Sequence, residues 1–258
     1  MGAVPLVRKD KAALRKQDAA QMEESVKKTI IVVLILIFGL MLPATAQNRE
    51  NSRVENAGMV ISEIMNIPDS IPQSVLGRAD CVCILPSVMK LAFGFGGSFG
   101  RGVMTCRTGK DFEGGGWTAP TMMALGGGSF GLQIGGQATD FVLLMMSPRS
   151  AKGVLTSKVK LGGDASAAAG PVGRTASAET DLTLRAEILS YSRSRGAFAG
   201  ISLTGSTLRA DNGANRNLYG KQVSAQDIVF KGAVPPPASA KKLLAVLNEK
   251  SPKHTSSK

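Results

Sequence analysis

The chain has 258 residues, of which 43% are hydrophobic and 5% aromatic, and it carries a formal net charge of +12. That length and apolar content allow one large packed domain or two small ones and exclude a wholly disordered chain. The excess of Lys and Arg favours anionic partners. With one Trp, two Tyr, no zinc-finger spacing and no long basic run, nucleic acid is set aside as a partner.

Residues 1–46 read as an N-terminal extension and export signal. Lys27 and Lys28 precede the apolar run TIIVVLILIFGLML (29–42), and Pro43 and Ala44-Thr45-Ala46 follow it. A basic flank, a short apolar stretch and a small-x-small site are the marks of a secretory signal. Cleavage after Ala46 would make Gln47 the first residue and export the chain to the periplasm or cell envelope. The alternative is membrane anchoring by residues 29–46, although the run is shorter than the roughly 20 residues needed to span a bilayer. Residues 1–21 are long and charged for a signal, and Met22 makes a more ordinary start. Leu6 stands where a myristoylation motif wants Ser or Thr. After residue 46 the chain holds 24 basic and 15 acidic residues, a net +9.

Val54, Ala57, Gly58, Ile61, Ile64 and Met65 fall at helical spacing, which predicts an amphipathic helix over 49–66 packed on a core. Strand-like segments follow: CVCIL (81–85), which Pro86 should stop, SFGRGVMTCR (98–107), 117–125, 129–134 and DFVLLMMS (140–147). TGKDFEGGG (108–116) is turn chemistry. PRSAKGVLTS (148–157) suits a short helix with Pro148 in its first turn. DLTLRAEI (181–188) is the cleanest alternating strand, and GAFAGISLTGSTL (196–208) reads as one long strand or a hairpin. Gly96-Gly97-Ser98-Phe99-Gly100 recurs as Gly127-Gly128-Ser129-Phe130-Gly131. Glycines within strands mark bends or close backbone approach, so the repeat predicts a strongly bent sheet, with Phe99 and Phe130 anchored in its core and Gly97 and Gly128 intolerant of a side chain. The main domain is set at 47–233. From 234 onward a Pro-rich break, a short helix (240–250) and a disordered basic tail are expected.

The residues for catalysis are missing. His254 is the only histidine, which removes Ser-His-Asp and Cys-His mechanisms and most zinc sites. Gly109-Lys110 and Gly220-Lys221 lack the following Ser or Thr of a phosphate loop. Asp164, Glu179, Asp181 and Glu187 form no pair that points to acid–base chemistry. No catalytic residue, metal or cofactor is therefore assigned, and the chain is read as a non-enzyme. Cys81 and Cys83 lie on one face of a strand as small buried hydrophobes, or one of them bridges Cys106.

Four segments, 71–103, 117–146, LGGDASAAAGPVGR (161–174) and 186–208, closed by Asn215 and Tyr219-Gly220, resemble the SYLF domain family over about residues 55–230. The resemblance implies a phospholipid-binding module, with phosphoinositide preference in eukaryotic members, and an exported bacterial type for this chain. The strand pattern, the in-strand glycines and the expected helices together indicate an α+β fold with a mainly antiparallel, strongly curved or barrel-like Gly-rich sheet and flanking helices. The helix at 49–66 is not basic, which departs from the lipid-contacting helix of the family. An exported chain without the extra domains of eukaryotic members sets actin aside as a partner. The expected function is binding of anionic, phosphoinositide-like head groups at a membrane surface. The alternative is a structural envelope protein that binds envelope proteins through its Gly-rich surface. The candidate head-group contacts are Lys90, Arg101, Arg107, Lys152, Lys158, Lys160, Arg174, Arg193 and Arg195.

Overall fold

The computed structural model describes residues 46–67, 70–172, 186–194, 197, 198, 203 and 205–255, with residues 22, 25 and 27–30 of the N-terminal part. The chain forms two units, Met1–Ala46 and Gln47–Lys258. Most of the export segment lies outside the described residues, as do 181–185 of the strand expected at 181–188. Among the described residues no helix is long and apolar enough to cross a membrane.

The larger unit opens with helix α1 (47–65). Its buried residues Val54, Ala57, Ile61, Ile64 and Met65 are those of the predicted apolar stripe. A short helix α2 (Gln73–Arg78) leads into β1 (Cys81–Cys106), which pairs antiparallel with β2 (Thr121–Met145) along nearly its whole length. The segments that read as five separate strands are therefore two long ones. Pro86 does not stop β1, because a bulge between Leu85 and Val88 absorbs it. Ser87 adopts a left-handed φ of 50° there, and its N–H donates to the Asp140 carboxylate at 2.8 Å. The extra residue resets the alternation, so Leu85 and Val88 both face the interior.

β1 does not run straight. Fully extended, 26 residues would span roughly 85 Å. Instead Cys81 and Cys106, its two ends, lie 3.9 Å apart at Cα and form a disulfide. The Arg107 N–H donates to the Asp80 carbonyl at 2.7 Å just outside that bond. The β1–β2 ribbon has folded back on itself. Its tightest contact is at Gly102, where an added Cβ would lie 1.9 Å from the Ile84 carbonyl oxygen. The two copies of the repeat are cross-strand partners, with Gly96 opposite Ser129, Gly97 opposite Gly128 and Ser98 opposite Gly127.

The outer edge of β2 takes β7 (Thr207–Ala210) near its start and β5 (Ile188–Ser194) near its end. β3 (Val159–Lys160) extends β7, β6 (Ala197–Phe198) pairs with β5, and β4 (Ala167–Ala169) joins β5 as the only parallel pair among the described strands. The fold is thus the expected α+β, with a mainly antiparallel, strongly curled sheet. One face of the sheet, with Val82, Ile84, Val103, Val142, Leu144 and Tyr191, packs under α1, α2, α4 (Asn212–Tyr219) and α6 (Lys241–Lys250). The other, with Cys83, Leu85, Met104, Met123, Phe141 and Leu143, packs on α3 (Pro148–Thr156) and α5 (Ala225–Lys231). α3 starts where the sequence places it, with Ser147 accepting the Ser150 N–H and Pro148 in the first turn.

Two expectations are corrected. Phe99 is 58% exposed rather than a core anchor; Phe130 lies outside the described side chains. The tail is not disordered: Ser251 is 3% exposed, and the Thr255 N–H donates to the Gly77 carbonyl at 2.9 Å. Residues 234–255 belong to the same body as the sheet, because Leu243 and Leu247 of α6 are fully buried against it.

The steric demand sits at Gly102, not Gly97, whose added Cβ would find its nearest atom at an ordinary 3.6 Å. Gly102→Ala is expected to cost about 3 kcal/mol or more, or to prevent folding, because backbone blocks its methyl group. Gly97→Ala is expected to stay within about 1 kcal/mol of the parent. Urea unfolding of the two variants checks the pair, and equal stability would place the close approach elsewhere.

Candidate functional site

The face of β1 that buries Val103 continues through Arg101 to Phe99, since alternate residues share a face. Helical cover ends before it does, which leaves Phe99 at 58% exposure. The Pro86–Ser87 bulge brings Met89 onto the same face from the other arm of the folded ribbon, where it is 51% exposed. α1 closes the third side with Arg53 and Asn56. Together with Pro86, Ser87 and Gly100 these residues line a cleft of about 230 Å³.

Its chemistry is cationic and apolar. Arg53 pairs with Glu50 one turn earlier on α1, and Arg101 lies 3.7 Å from the Asp211 carboxylate and 5.9 Å from the Phe99 ring centroid. A guanidinium has five N–H donors in a planar fork, so one carboxylate on one side leaves donors for an oxyanion on the other. Asn56 and Ser87 add neutral hydrogen-bonding groups. Among the described residues no cluster of His, Cys, Asp and Glu could hold a metal.

Of the seven described residues among the nine basic ones singled out from the sequence, the structure brings only Arg101 to this cleft. Lys90 follows Met89 but points to the opposite face, with its ammonium 5.7 Å from the Phe141 ring centroid and its pKa lowered by burial. Lys152 pairs with Asp111 at 2.5 Å near the 108–116 turn. Lys158 and Lys160 are exposed around the start of β3, and the Lys160 N–H is held by the Asp164 carboxylate at 2.8 Å. Arg174 and Arg195 lie outside the described residues. Arg193 ties α1 to the sheet, at 2.5 Å from Glu63 and 3.4 Å from Asp140. That makes Asp140 a brace with two duties, the bulge N–H and the Arg193 guanidinium.

Arg107 is a correction. It is 1% exposed and reaches no membrane surface. Its guanidinium stacks 3.9 Å from the Trp117 ring centroid and donates to the carbonyls of Gly115, Ser251 and Lys253 and to the Ser251 hydroxyl. Burial pulls its pKa down to about 10, against the pull of Asp80. Asp80 is 2% exposed, and burial pushes its carboxyl up to about 7 despite the neighbouring Arg107.

Arg53, Asn56 and Met89 escaped the sequence reading. Arg53 fell among the polar positions of the helix expected at 49–66, and Met89 lay between the strands expected at 81–85 and 98–107. Only folding the ribbon places both beside Arg101. Other residues in the family-like strings prove architectural. Asn215, fully buried, accepts the Met122 N–H at 2.7 Å and donates to the Thr121 hydroxyl at 2.9 Å. The Tyr219 hydroxyl donates to the Pro120 carbonyl at 2.5 Å. Gly170 makes room for the Tyr191 ring, 2.1 Å from where a Cβ would stand.

The site is thus a cationic, apolar-rimmed cleft on a curled sheet. Residues 126–250 match the family model described as Ysc84, Las17-binding protein actin regulator. The chain is 36% identical over 208 residues to an SH3 domain-containing protein of Schizosaccharomyces pombe, covering 77% of this chain and 47% of that protein. It is 33% identical over 192 residues to LAS seventeen-binding protein 3 of Saccharomyces cerevisiae, covering 73% and 40%. It is 32% identical over 204 residues to SH3 domain-containing YSC84-like protein 1 of Homo sapiens, covering 76% and 58%. The chain spans about half the length of the curated relatives it matches. It carries a domain of the SYLF, or Ysc84, family, a family of binding and regulator proteins. The relatives' names give no support to setting actin aside as a partner.

The buried carboxyl gives a pH signature. Asp80 takes up a proton on folding between its ordinary 3.8 and about 7, so its contribution to stability is complete below pH 4 and is lost as pH rises through 7. His254 titrates in the opposite sense: burial holds its imidazole neutral, and its contribution is lost as pH falls below the ordinary 6.5. Asp80→Asn removes only the first effect. Urea unfolding from pH 4 to 8 should show the variant gaining on the parent as pH rises. A pH-independent difference would mean an ordinary carboxylate.

Proposed function

We propose that the domain binds an anionic phospholipid surface, without catalysis, through the cleft between α1 and the folded ribbon. The observation that supports this reading is the pairing of two exposed apolar side chains, Met89 and Phe99, with two guanidinium groups, Arg53 and Arg101, on one rim. Phe and Met gain by entering the boundary between head groups and acyl chains. Arg meets a phosphate in a two-point geometry that Lys does not offer. Each cation near such a surface adds about 1 kcal/mol. A phosphoinositide-like head group fits the same donors, and the net +9 after residue 46 draws the chain toward any anionic bilayer.

Export to an envelope compartment, by the signal ending near Ala46, belongs to the same proposal. A disulfide between Cys81 and Cys106 is at home in an oxidising compartment, which supports it. A second reading, binding of a protein partner, draws on the family description, which names Las17 binding and actin regulation. The same exposed Phe99 and Arg101 suit it.

Sedimentation of the full chain with liposomes separates these readings. The apolar run at 29–42 is common to every variant, so only differences between variants report on the cleft. Arg53→Gln with Arg101→Gln is expected to weaken binding to anionic liposomes about thirtyfold at low salt and to leave neutral liposomes unaffected. Met89→Ser with Phe99→Ser is expected to weaken binding to both. Parental binding by both double variants would reject the cleft as the membrane contact and favour the protein partner.

A further inference from the structure

The C-terminal tail sits on a seat built by the closure of β1, in two halves. The first is Arg107, directly after Cys106, which holds the Ser251 carbonyl at 2.9 Å, the Lys253 carbonyl at 3.2 Å and the Ser251 hydroxyl. The second lies just before Cys81. There the imidazole Nε2 of His254 approaches the Asp80 carboxylate to 3.2 Å, and the Thr255 N–H donates to Gly77. An added Cβ at Gly77 would lie 2.7 Å from the Thr255 hydroxyl oxygen, so the fit is close. The halves are far apart along the chain, at 77–80 and 107, and meet where the Cys81–Cys106 bond and the Arg107 N–H to Asp80 carbonyl hydrogen bond join the ends of β1.

We infer that residues 251–255 form a redox-gated strap, docked while the Cys81–Cys106 disulfide is intact and released when a dithiol reduces it. The tail is a bivalent ligand: once Ser251 is on Arg107, His254 and Thr255 reach Asp80 and Gly77 at high effective concentration. Separating the halves removes that advantage. In the step, two electrons and two protons break the S–S bond to give two thiols, and the dithiol closes to its own disulfide. Both cysteines are fully buried, so the exchange passes through a state in which this end of the sheet has opened. Cys83 takes no part: it is fully buried, and burial pushes its thiol up, away from the reactive thiolate. The titratable groups facing the seat are Asp80, Arg107, His254 and Glu113, with the Arg78 backbone hydrogen-bonded to the imidazole. Released, the tail uncovers Arg107 stacked on Trp117, a guanidinium with its donors freed for another acceptor.

Coupling of this kind is reciprocal: if the disulfide favours docking, docking favours the disulfide by the same factor. The test compares the oxidised full chain with the chain reduced by dithiothreitol in native buffer, reduction being verified by alkylation and intact mass. Hydrogen exchange is read at Thr255 and across the β1–β2 ribbon. Reduction is expected to speed exchange at Thr255 about tenfold or more and to leave the ribbon within about twofold. Arg107→Gln is expected to free Thr255 without reduction. His254→Ala is expected to shift the equilibrium with dithiothreitol about tenfold toward the thiols, or about 30 mV. If native reduction does not go to completion, the Cys81→Ser, Cys106→Ser double variant supplies the open state. A Thr255 amide still protected in the fully reduced or double-variant chain overturns the proposal. So does loss of protection throughout the ribbon, which would make the disulfide a support of the whole sheet rather than of the strap.

Discussion

The structure depends on the return of β1 to its own starting point. A 26-residue strand would leave a long, open edge, and open edges recruit other chains. Here the ribbon doubles back until Cys81 and Cys106 are neighbours, and Gly102 is the position where one arm's backbone meets the other's. Later strands attach to that folded ribbon directly or through β5 and β7. β5 and β7 use opposite ends of β2's free edge, the helices cover its two faces, and the tail locks where its ends meet. Closure also creates the cost at this place, since it buries Asp80 and Arg107 together. A buried pair is tolerable only when its hydrogen bonds are supplied, and the Ser251 and Lys253 carbonyls supply those of Arg107.

The cleft follows from the same fold. Bending the ribbon brings Met89 on one arm next to Phe99 and Arg101 on the other, and α1 adds Arg53. The apolar side chains stay exposed because the helical cover stops short. Apolar groups exposed beside cations, rather than the excess of charge alone, distinguish this rim from the exposed Lys158 and Lys160 at β3.

Much of the secondary structure was legible, for local reasons. The stripe of Val54, Ala57, Ile61 and Ile64 marks α1 by its period, and Ser147-Pro148 marks the start of α3 by capping chemistry. The long strands were not legible, because Pro86 and the glycines look like stops when read locally. They become bulges and bends only when Asp140 and β2 are there to satisfy the backbone. The tail misled in the same way: SPKHTSSK has a disordered composition, yet Ser251 and His254 find buried partners across about 145 to 175 residues of chain. Of the seven described basic candidates, only Arg101 reached the cleft, since a single Arg carries no local mark that separates a brace such as Arg193 or a buried post such as Arg107 from an exposed contact.

By itself the sequence determined the kind of protein. The repeated glycines called for a bent sheet, and the ordered strings from 71 to 220 carried the family. Those are properties of residue type and spacing, which a chain displays before it folds. The tertiary structure alone decided which residues meet. It set the two glycine repeats opposite each other, joined Cys81 to Cys106, buried Arg107 under the tail and left Phe99 outside. Each of these is a contact between distant segments, and their energies depend on burial and distance, which exist only once the ribbon has closed.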